Sequence, residues 1–222
     1  MKSGFSVPVL KHGTPLPDPR GARPDGLVAI GGDLSVPRLL EAYRNGIFPW
    51  SANPVTWWSP DPRCIIPIDT FHIHRRLSQK LKQQKFRITF DQVFHAVMEG
   101  CAASAPGRES SWIEGEMFSA YAELQRCGHA HSVECWQGDT LAGGLYGVCL
   151  GGFFAGESMF HRVTDASNIA LAALMQHLKQ RGFSLFDTQV STPHTLRLGA
   201  IDIPREEYLL LLKHAIELPI RF

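Results

Sequence analysis

The segment FDTQVSTPHTLRLGA places Asp187 and Gln189 two residues apart on a predicted strand, and therefore on one face of it. An acid beside an amide at the C-terminal end of a strand suits a hydrogen-bonded pair in which Asp187 fixes the direction of the Gln189 side-chain amide. Glutamine is too weakly basic to take a proton by itself, so such a pair orients and polarises a reacting group. A second acid, Glu157, sits in GGFFAGESMF, an otherwise apolar and glycine-punctuated stretch. An ionised carboxylate removed from water is costly unless it is paired, so Glu157 is either hydrogen-bonded structure or part of a site. Polar residues also occur at strand ends as ordinary structure, and at this point both readings stand.

The rest of the chain bounds what these residues can do. Its 222 residues carry a net charge of +1, with 44% hydrophobic and 19% charged residues. That is enough to bury a core, and nothing in it suggests disorder. No run of 18 apolar residues exists and the start lacks the apolar segment of a signal peptide, so the expectation is a soluble cytoplasmic protein. Cys64, Cys101, Cys127, Cys135 and Cys149 form no C-x-x-C pair, and an odd count argues for reduced thiols, mostly in the core. His129, His131 and Cys135 share a parity on a predicted strand, but without a fourth ligand they make a weak metal pattern. HIHRRLSQKLKQQKFR, residues 72–87, carries Lys and Arg and no acid, and it reads as a basic helix that holds phosphates or simply faces water.

The elements that must position the acids follow from periodicity. SVPRLLEAYRNG reads as a helix capped by Ser35, with Pro37 early, Leu39, Leu40 and Tyr43 on one face, and Gly46 as its stop. IFPWSANPVTWWSPDPR reads as a stiffened connection without regular structure, carrying Trp50, Trp57 and Trp58, with a domain boundary near residues 61–63. CIIPI and FRITF read as strands, Asp91 as the cap of a helix over DQVFHAVMEGCA, and Ser111 with Glu114 as a capping box for the helix ending at Gly128. HSVECW, LAGGLYGVCL and GGFFAGESMF are spaced as an antiparallel meander. A long amphipathic helix over ASNIALAALMQHLKQRG, the strand FSLFDTQ and a last helix opened by Pro204 complete an α+β chain.

A meander that feeds a helix and then a strand resembles the GNAT acyltransferase fold, where coenzyme A normally rests on a glycine-rich loop at a helix N-terminus. The corresponding loop here, MFHRVTDASN, has no glycine, which argues against coenzyme A. The blocks GGDLSVPRLLEAYRNGIFPW, WWSPDPR, SWI, GHAHSVECW, GGLYGV, GESMFHR, FDTQ and LGAIDIPR, in this order, resemble the leucyl/phenylalanyl-tRNA-protein transferase family, from about Pro24 to Leu210. The resemblance implies a small N-terminal α+β domain, residues 1–62, joined to a GNAT-like domain, residues 63–222, with a mixed, mostly antiparallel sheet. It implies transfer of Leu or Phe, with Met as a third candidate, from aminoacyl-tRNA to the N-terminal α-amine of proteins beginning with Lys or Arg. The product is then marked for degradation. No metal or diffusible cofactor is implied, because the ester is already activated, and a monomer is the expectation.

By the same resemblance Asp187, Gln189 and Glu157 carry the chemistry, with Gln189 on the attacking amine or reacting carbonyl and Glu157 on a cationic amine or the donor adenosine. Trp50, Trp112 and Tyr121 match positions around the terminal adenosine. Leu145, Phe154, Met159, Leu171 and Phe186 are the candidate pocket for the aminoacyl side chain, which requires a bulge near Gly156 if Phe154 and Glu157 are to face one site. Arg75 and Lys82 match tRNA-contacting positions, with Gln79 where a base is common. His161, Asn168, Thr188 and Arg197 depart from the usual serine, lysine, cysteine and serine, and Arg197 or His161 could favour an acidic acceptor. The competing readings are an acetyl-CoA-dependent GNAT enzyme and a tRNA-binding protein without activity.

Overall fold

The computed structural model describes residues 6–71, 73, 77, 85–103, 113 and 115–222. Among them the strands form two sheets. The smaller has the order β1-β2-β4-β3, built from β1 (Val9–Leu10), β2 (Leu27–Gly31), β3 (Phe48–Ala52) and β4 (Val55–Trp58). Helix α1 (Val36–Arg44) connects β2 to β3. Ser35 stands at its N-cap, yet its hydroxyl bonds Asp33 rather than the helix. Pro37 occupies the first turn, and Gly46 follows the helix at φ +72°, a left-handed turn that suits glycine.

The proline-rich stretch is a β-hairpin, contrary to the sequence expectation of a connection without regular structure. β3 is the outer strand of its sheet, so a missing N–H there breaks no ladder on its open side, and the β3/β4 register shifts between Pro49 and Ser51. Pro54 lies in the hairpin turn, while Pro60 and Pro62 follow β4. The prolines are thus at an edge, a turn and a strand end, where a sheet tolerates them.

The larger sheet has the order β11-β5-β10-β9-β8-β7-β6. β7 (Ala130–Gln137), β8 (Thr140–Leu150) and β9 (Phe153–His161) are the expected antiparallel meander, with β6 (Arg87–Phe90) added at one end. α4 (Ala166–Arg181), stopped by Gly182 at φ +82°, crosses over so that β10 (Leu185–Gln189) lies parallel to β9. β5 (Arg63–Ile65) and β11 (Ile201–Ile203) extend the sheet antiparallel beyond β10. The sheet is mixed and mostly antiparallel, in an α+β chain, as the sequence implies.

Both faces of this sheet are covered, which is why β8 is buried without alternation from Leu141 to Leu150. On one face α4 packs through Ile169, Leu171, Leu174 and Met175 against Leu145, Phe154 and Phe186. On the other, α2 (Phe94–Ala102), α3 (Gly115–Arg126) and α6 (Arg205–Glu217) close over Tyr146, Val148 and Phe153. Leu39, Tyr43, Ile47 and Trp57 of the first 60 residues belong to this second core, so the small sheet and the large one share packing. Asp91 does not cap α2, which starts at Phe94. It adopts φ +55° and its carboxylate accepts from Ser132 N–H at 2.8 Å and pairs with His131 at 2.7 Å. The predicted capping box at Ser111 and Glu114 and most of the basic stretch 72–87 lie outside the described residues, and the last residue of that stretch, Arg87, opens β6 rather than continuing a helix.

β8 and β9 are so close at Gly147 that a Cβ there would sit 2.2 Å from the Ala155 carbonyl oxygen and 2.3 Å from the Phe154 ring. A Gly147→Ala variant is expected to lose roughly 1–3 kcal/mol, the usual cost of overpacking a core. Differential scanning calorimetry should show a clearly lower Tm, and an unchanged Tm would mean that the strands can separate without cost.

Candidate active site

β9 and β10 pair only from Phe153 to Ala155 and from Leu185 to Asp187. Past that point they part, and a cleft of about 320 Å³ opens between them, lined by Trp50, Leu145, Glu157, Met159, Leu171 and Gln189 among others. Two local irregularities aim the polar groups there. The β8/β9 register runs Gly147↔Gly156 and then Tyr146↔Ser158, which leaves Glu157 as the extra, bulged residue. On β10 the register to β5 breaks between Asp187 and Gln189, and Gln189 adopts φ +61°, a left-handed conformation uncommon for a residue with a side chain.

The Gln189 conformation is held by Asp187, whose Oδ1 accepts the Gln189 backbone N–H at 2.9 Å. Asp187 is itself fully buried and does not line the cleft. Its oxygens take a two-pronged contact from Arg63, Nε to Oδ1 at 3.0 Å and Nη2 to Oδ2 at 2.7 Å, and Oδ2 also accepts from Tyr208 Oη at 2.9 Å. Arg63 in turn donates to the Gly46 carbonyl at 2.9 Å and lies over the rings of Phe48 and Tyr208. Burial alone would weaken the guanidinium's hold on its proton, but the Asp187 carboxylate against it raises the Arg63 pKa above its ordinary value. The charge of Asp187 is thus neutralised within the fold, and its geometry fixed by charge-assisted bonds.

The expected side-chain pair of Asp187 and Gln189 is therefore corrected. Asp187 holds the Gln189 main chain, whereas the Gln189 side-chain Nε2 donates to Glu157 Oε1 at 3.4 Å. Simple strand alternation could not foresee this, because it assumes extended backbone through Gln189.

Glu157 accepts from Tyr43 Oη at 2.8 Å on Oε1 and from Tyr121 Oη at 2.9 Å on Oε2, and the two phenol oxygens are 2.6 Å apart. Burial is the largest influence on the Glu157 carboxyl and pushes its pKa up to about 7. The Tyr43 and Tyr121 hydrogen bonds pull it down, the Asp187 charge adds to the rise and Arg63 opposes it. A carboxyl poised near neutrality at a cleft can gain or lose a proton under ordinary conditions.

Of the residues singled out from sequence, Glu157, Gln189, Trp50, Leu145, Met159, Leu171 and Phe186 meet at the cleft. Tyr121 reaches it through Glu157 and is otherwise buried. Phe154 does not line it. The bulge anticipated near Gly156 is present, but Phe154 lies before it, fully buried, stacked on Phe186 at 6.0 Å and on Phe222 at 5.4 Å, so it supports the pocket wall from behind. Trp50 is 44% exposed and forms a tilted cluster with Phe48 and Trp58 at the cleft mouth. Trp112, Arg75 and Lys82 lie outside the described residues. Thr188 lines the cleft and bonds the Cys64 carbonyl at 3.2 Å, His161 stands 3.5 Å from Ser167, and Asn168 Oδ1 has no hydrogen-bond partner among the described residues. Arg197 ends the short helix α5 (Pro193–Arg197), from which His194 and Thr195 reach the cleft.

Three residues escaped the sequence reading. Arg63 was visible as the last residue of WWSPDPR, Tyr43 only as part of a helix face, and Tyr208 carried no signal beyond its place in the last helix. No group of three His, Cys, Asp or Glu side chains among the described residues is placed to hold a metal ion.

A meander, a crossover helix and a parallel strand that splays from its neighbour to expose a carboxyl and an amide over an apolar pocket are the arrangement expected of a GNAT-like acyl-transfer domain. Comparison with known proteins makes this specific. The family model "Leucyl/phenylalanyl-tRNA protein transferase" matches residues 65–213, and that for its N-terminal domain matches residues 32–61. The chain belongs to the leucyl/phenylalanyl-tRNA protein transferase family. It is similar to the curated Leucyl/phenylalanyl-tRNA--protein transferase of Nitratidesulfovibrio vulgaris strain DP4, with 50% identity over 92% of this chain and 89% of that one. It is similarly close to the proteins of the same name from Anaeromyxobacter sp. strain K, at 48% over 91% and 88%, and Magnetococcus marinus, at 50% over 92% and 89%. A solved structure titled "The structure of L-PGS from Bacillus licheniformis" aligns with a TM-score of 0.45 and 9% identity, over 82% of this chain and 70% of that one.

Proposed function

We propose that the protein transfers leucine or phenylalanine from aminoacyl-tRNA to the N-terminal α-amine of proteins that begin with Lys or Arg, and so creates a destabilising N-terminus. The observation that carries this reading is the cleft at the β9/β10 splay, where Glu157 and Gln189 face an apolar pocket in a chain of this family. Leu145, Met159, Leu171 and Phe186 offer the apolar walls that a Leu or Phe side chain needs. The chemistry asks for little activation, since the donor is an ester and an α-amine with a pKa of about 7.7 is partly neutral near pH 7. Positioning is the main task.

In this reading Gln189 hydrogen-bonds the attacking amine or the reacting carbonyl, and Asp187 acts as a positioning residue through the Gln189 main chain and Arg63. Trp50 stacks on the terminal adenine, with Trp112 and Tyr121 completing the adenosine site, while Arg75 and Lys82 read tRNA phosphates. Residues 1–62 form a small domain that brings Trp50 to the transfer domain, residues 63–222, a division supported by family models that break between residues 61 and 65. Among the described residues no helix is long and apolar enough to cross a membrane, and the proposed site of action is the cytoplasm, where charged tRNA is made. No cofactor is called for, and the active species is a monomer.

The test begins with binding of Leu-tRNA to the wild type and to Trp50→Ala. Loss of one base-stacking face is worth roughly 1–3 kcal/mol, a loss of affinity of about 5- to 150-fold. A chase with a Lys-starting peptide, without ATP or coenzyme A, should then release free tRNA and leucylated peptide. Charged tRNA that binds and stays charged through the chase would contradict transfer, and equal affinity of the two proteins would remove Trp50 from the adenosine site.

A further inference from the structure

The oxygens of Tyr43, Tyr121 and Glu157 close a ring with three contacts, 2.6, 2.8 and 2.9 Å long. Each contact is short enough to need a proton between its oxygens. The two phenols supply two protons, and an ionised Glu157 supplies none. One contact is then left with lone pairs facing each other. When Glu157 is protonated, three protons fill three contacts and every oxygen in the ring has a partner. The ring is therefore built to hold a third proton as well as to release it.

We infer that Glu157 takes the proton from the attacking amine and returns it to the leaving oxygen, and that Tyr43 and Tyr121 act as positioning residues that set the affinity of Glu157 for that proton. The inference rests on the transfer reading above. In the step, the neutral acceptor amine attacks the ester carbonyl carbon, forming the C–N bond. The nitrogen loses one proton to the ionised Glu157 carboxylate. As the tetrahedral intermediate collapses, the C–O bond to the terminal ribose breaks and Glu157–H protonates the departing oxygen. One proton leaves nitrogen and one reaches oxygen, so Glu157 ends as it began. Gln189, which cannot take a proton, remains the orienting group, and its Nε2, 3.4 Å from Glu157 Oε1, joins the two.

The surroundings fit this role. Tyr43 approaches Glu157 from α1, Tyr121 from α3, Tyr146 from β8, Asp187 from β10 and Arg63 from β5. Asp187 is neutralised by Arg63, and burial pushes all three tyrosines above their usual range, so they stay protonated and act as donors. Glu157 is thus the group of this cluster that changes charge near neutral pH, with a pKa of about 7. Each phenol that donates to Glu157 lowers its pKa, which outweighs the empty contact of the ionised ring, so removal of either hydroxyl raises its proton affinity.

The experiment titrates the full chain by infrared spectroscopy without substrates, reading the carbonyl band of a protonated carboxyl, in wild type, Glu157→Gln, Tyr43→Phe and Tyr121→Phe. The band should appear in wild type with a midpoint near pH 7, be absent from Glu157→Gln, and shift upward in each Phe variant by about one unit, the worth of one hydrogen bond. The pH profile of peptide transfer should show its acid limb moved upward by the same amount. The acceptor amine contributes a limb common to all variants and does not produce the difference. A wild-type midpoint below pH 5, or Phe variants slowed by one factor at every pH with an unmoved midpoint, would overturn the inference. Because the infrared titration needs no turnover, failure of the wild type to transfer would sink the transfer reading without disguising the behaviour of the ring.

Discussion

An Asp187→Ala variant is expected to melt well below the parent chain and to lose transfer. Arg63 and Asp187 are both almost wholly inside the protein, 1% and 0% exposed, and removal of the carboxylate strands a guanidinium there. Breaking a buried pair from one side costs about 3–5 kcal/mol. For a chain of this size that is a fall in Tm of roughly 6–20 °C. The loss reaches the cleft because Asp187 also anchors the left-handed backbone at Gln189. A companion variant separates the two effects. Replacing both partners, Arg63→Met with Asp187→Leu, removes the stranded charge and should recover much of the stability, while Gln189 is still released from its hold and transfer stays low. Calorimetry and a transfer assay on the pair of variants check this. Full activity of the double variant would show that Asp187 serves the fold alone.

Glu157→Gln is expected to abolish most transfer and, at the same time, to stabilise the protein on the alkaline side of neutrality. In the unfolded chain a glutamate titrates near its ordinary 4.5, whereas in the fold burial holds Glu157 up at about 7. Its folded pKa is raised, so this group's contribution to stability is fully present below the unfolded value and is lost as pH rises through about 7. The wild type minus Glu157→Gln difference in unfolding free energy should therefore fall between about pH 4 and pH 8. Denaturant titrations across that window measure the difference directly. A difference flat with pH would mean that Glu157 is ionised throughout, like a solvated carboxylate. The activity loss is set by general acid–base catalysis, about 10²–10⁴-fold.

How far the sequence carried these conclusions depends on the element. The meander, the crossover helix, β10 and the last helix were legible because each has its own period and a glycine or proline near its end, as at Gly182 and Pro204. The β3/β4 hairpin was not, since prolines were weighed as breakers without knowing that their strand lies at an edge. β1, β2 and β11 are only 2, 5 and 3 residues long and form because a neighbour offers a ladder, whereas α5, 5 residues long, carries its own capping box of Thr192 and Thr195 that was passed over in the sequence. The misplaced cap at Asp91 has a similar cause: Ser132 and His131 bind its carboxylate from a strand 40 residues away.

The candidate site divides the same way. Glu157 and Gln189 could be named because an acid in an apolar run and a polar strand end stand out in one dimension. Their partners could not. Arg63 and Tyr208 reach Asp187 across 124 and 21 residues, and Tyr43 reaches Glu157 across 114, contacts that arise only when β5, β10, α1 and α6 are folded together. Phe154 was misplaced for the opposite reason. Its burial was readable, but which side of the bulge at Glu157 it fell on was not.

The central claim, a tRNA-dependent aminoacyl transfer at the β9/β10 cleft, is tested most directly by one reaction series. Purified protein is given labelled Leu-tRNA or Phe-tRNA and peptides that differ only in their first residue, Lys, Arg, Asp or Glu, with no ATP or coenzyme A. The account predicts label on the α-amine of the Lys and Arg peptides from both donors, little on the Asp and Glu peptides, and almost none with Glu157→Gln. Label on no peptide, although charged tRNA is bound, would contradict it.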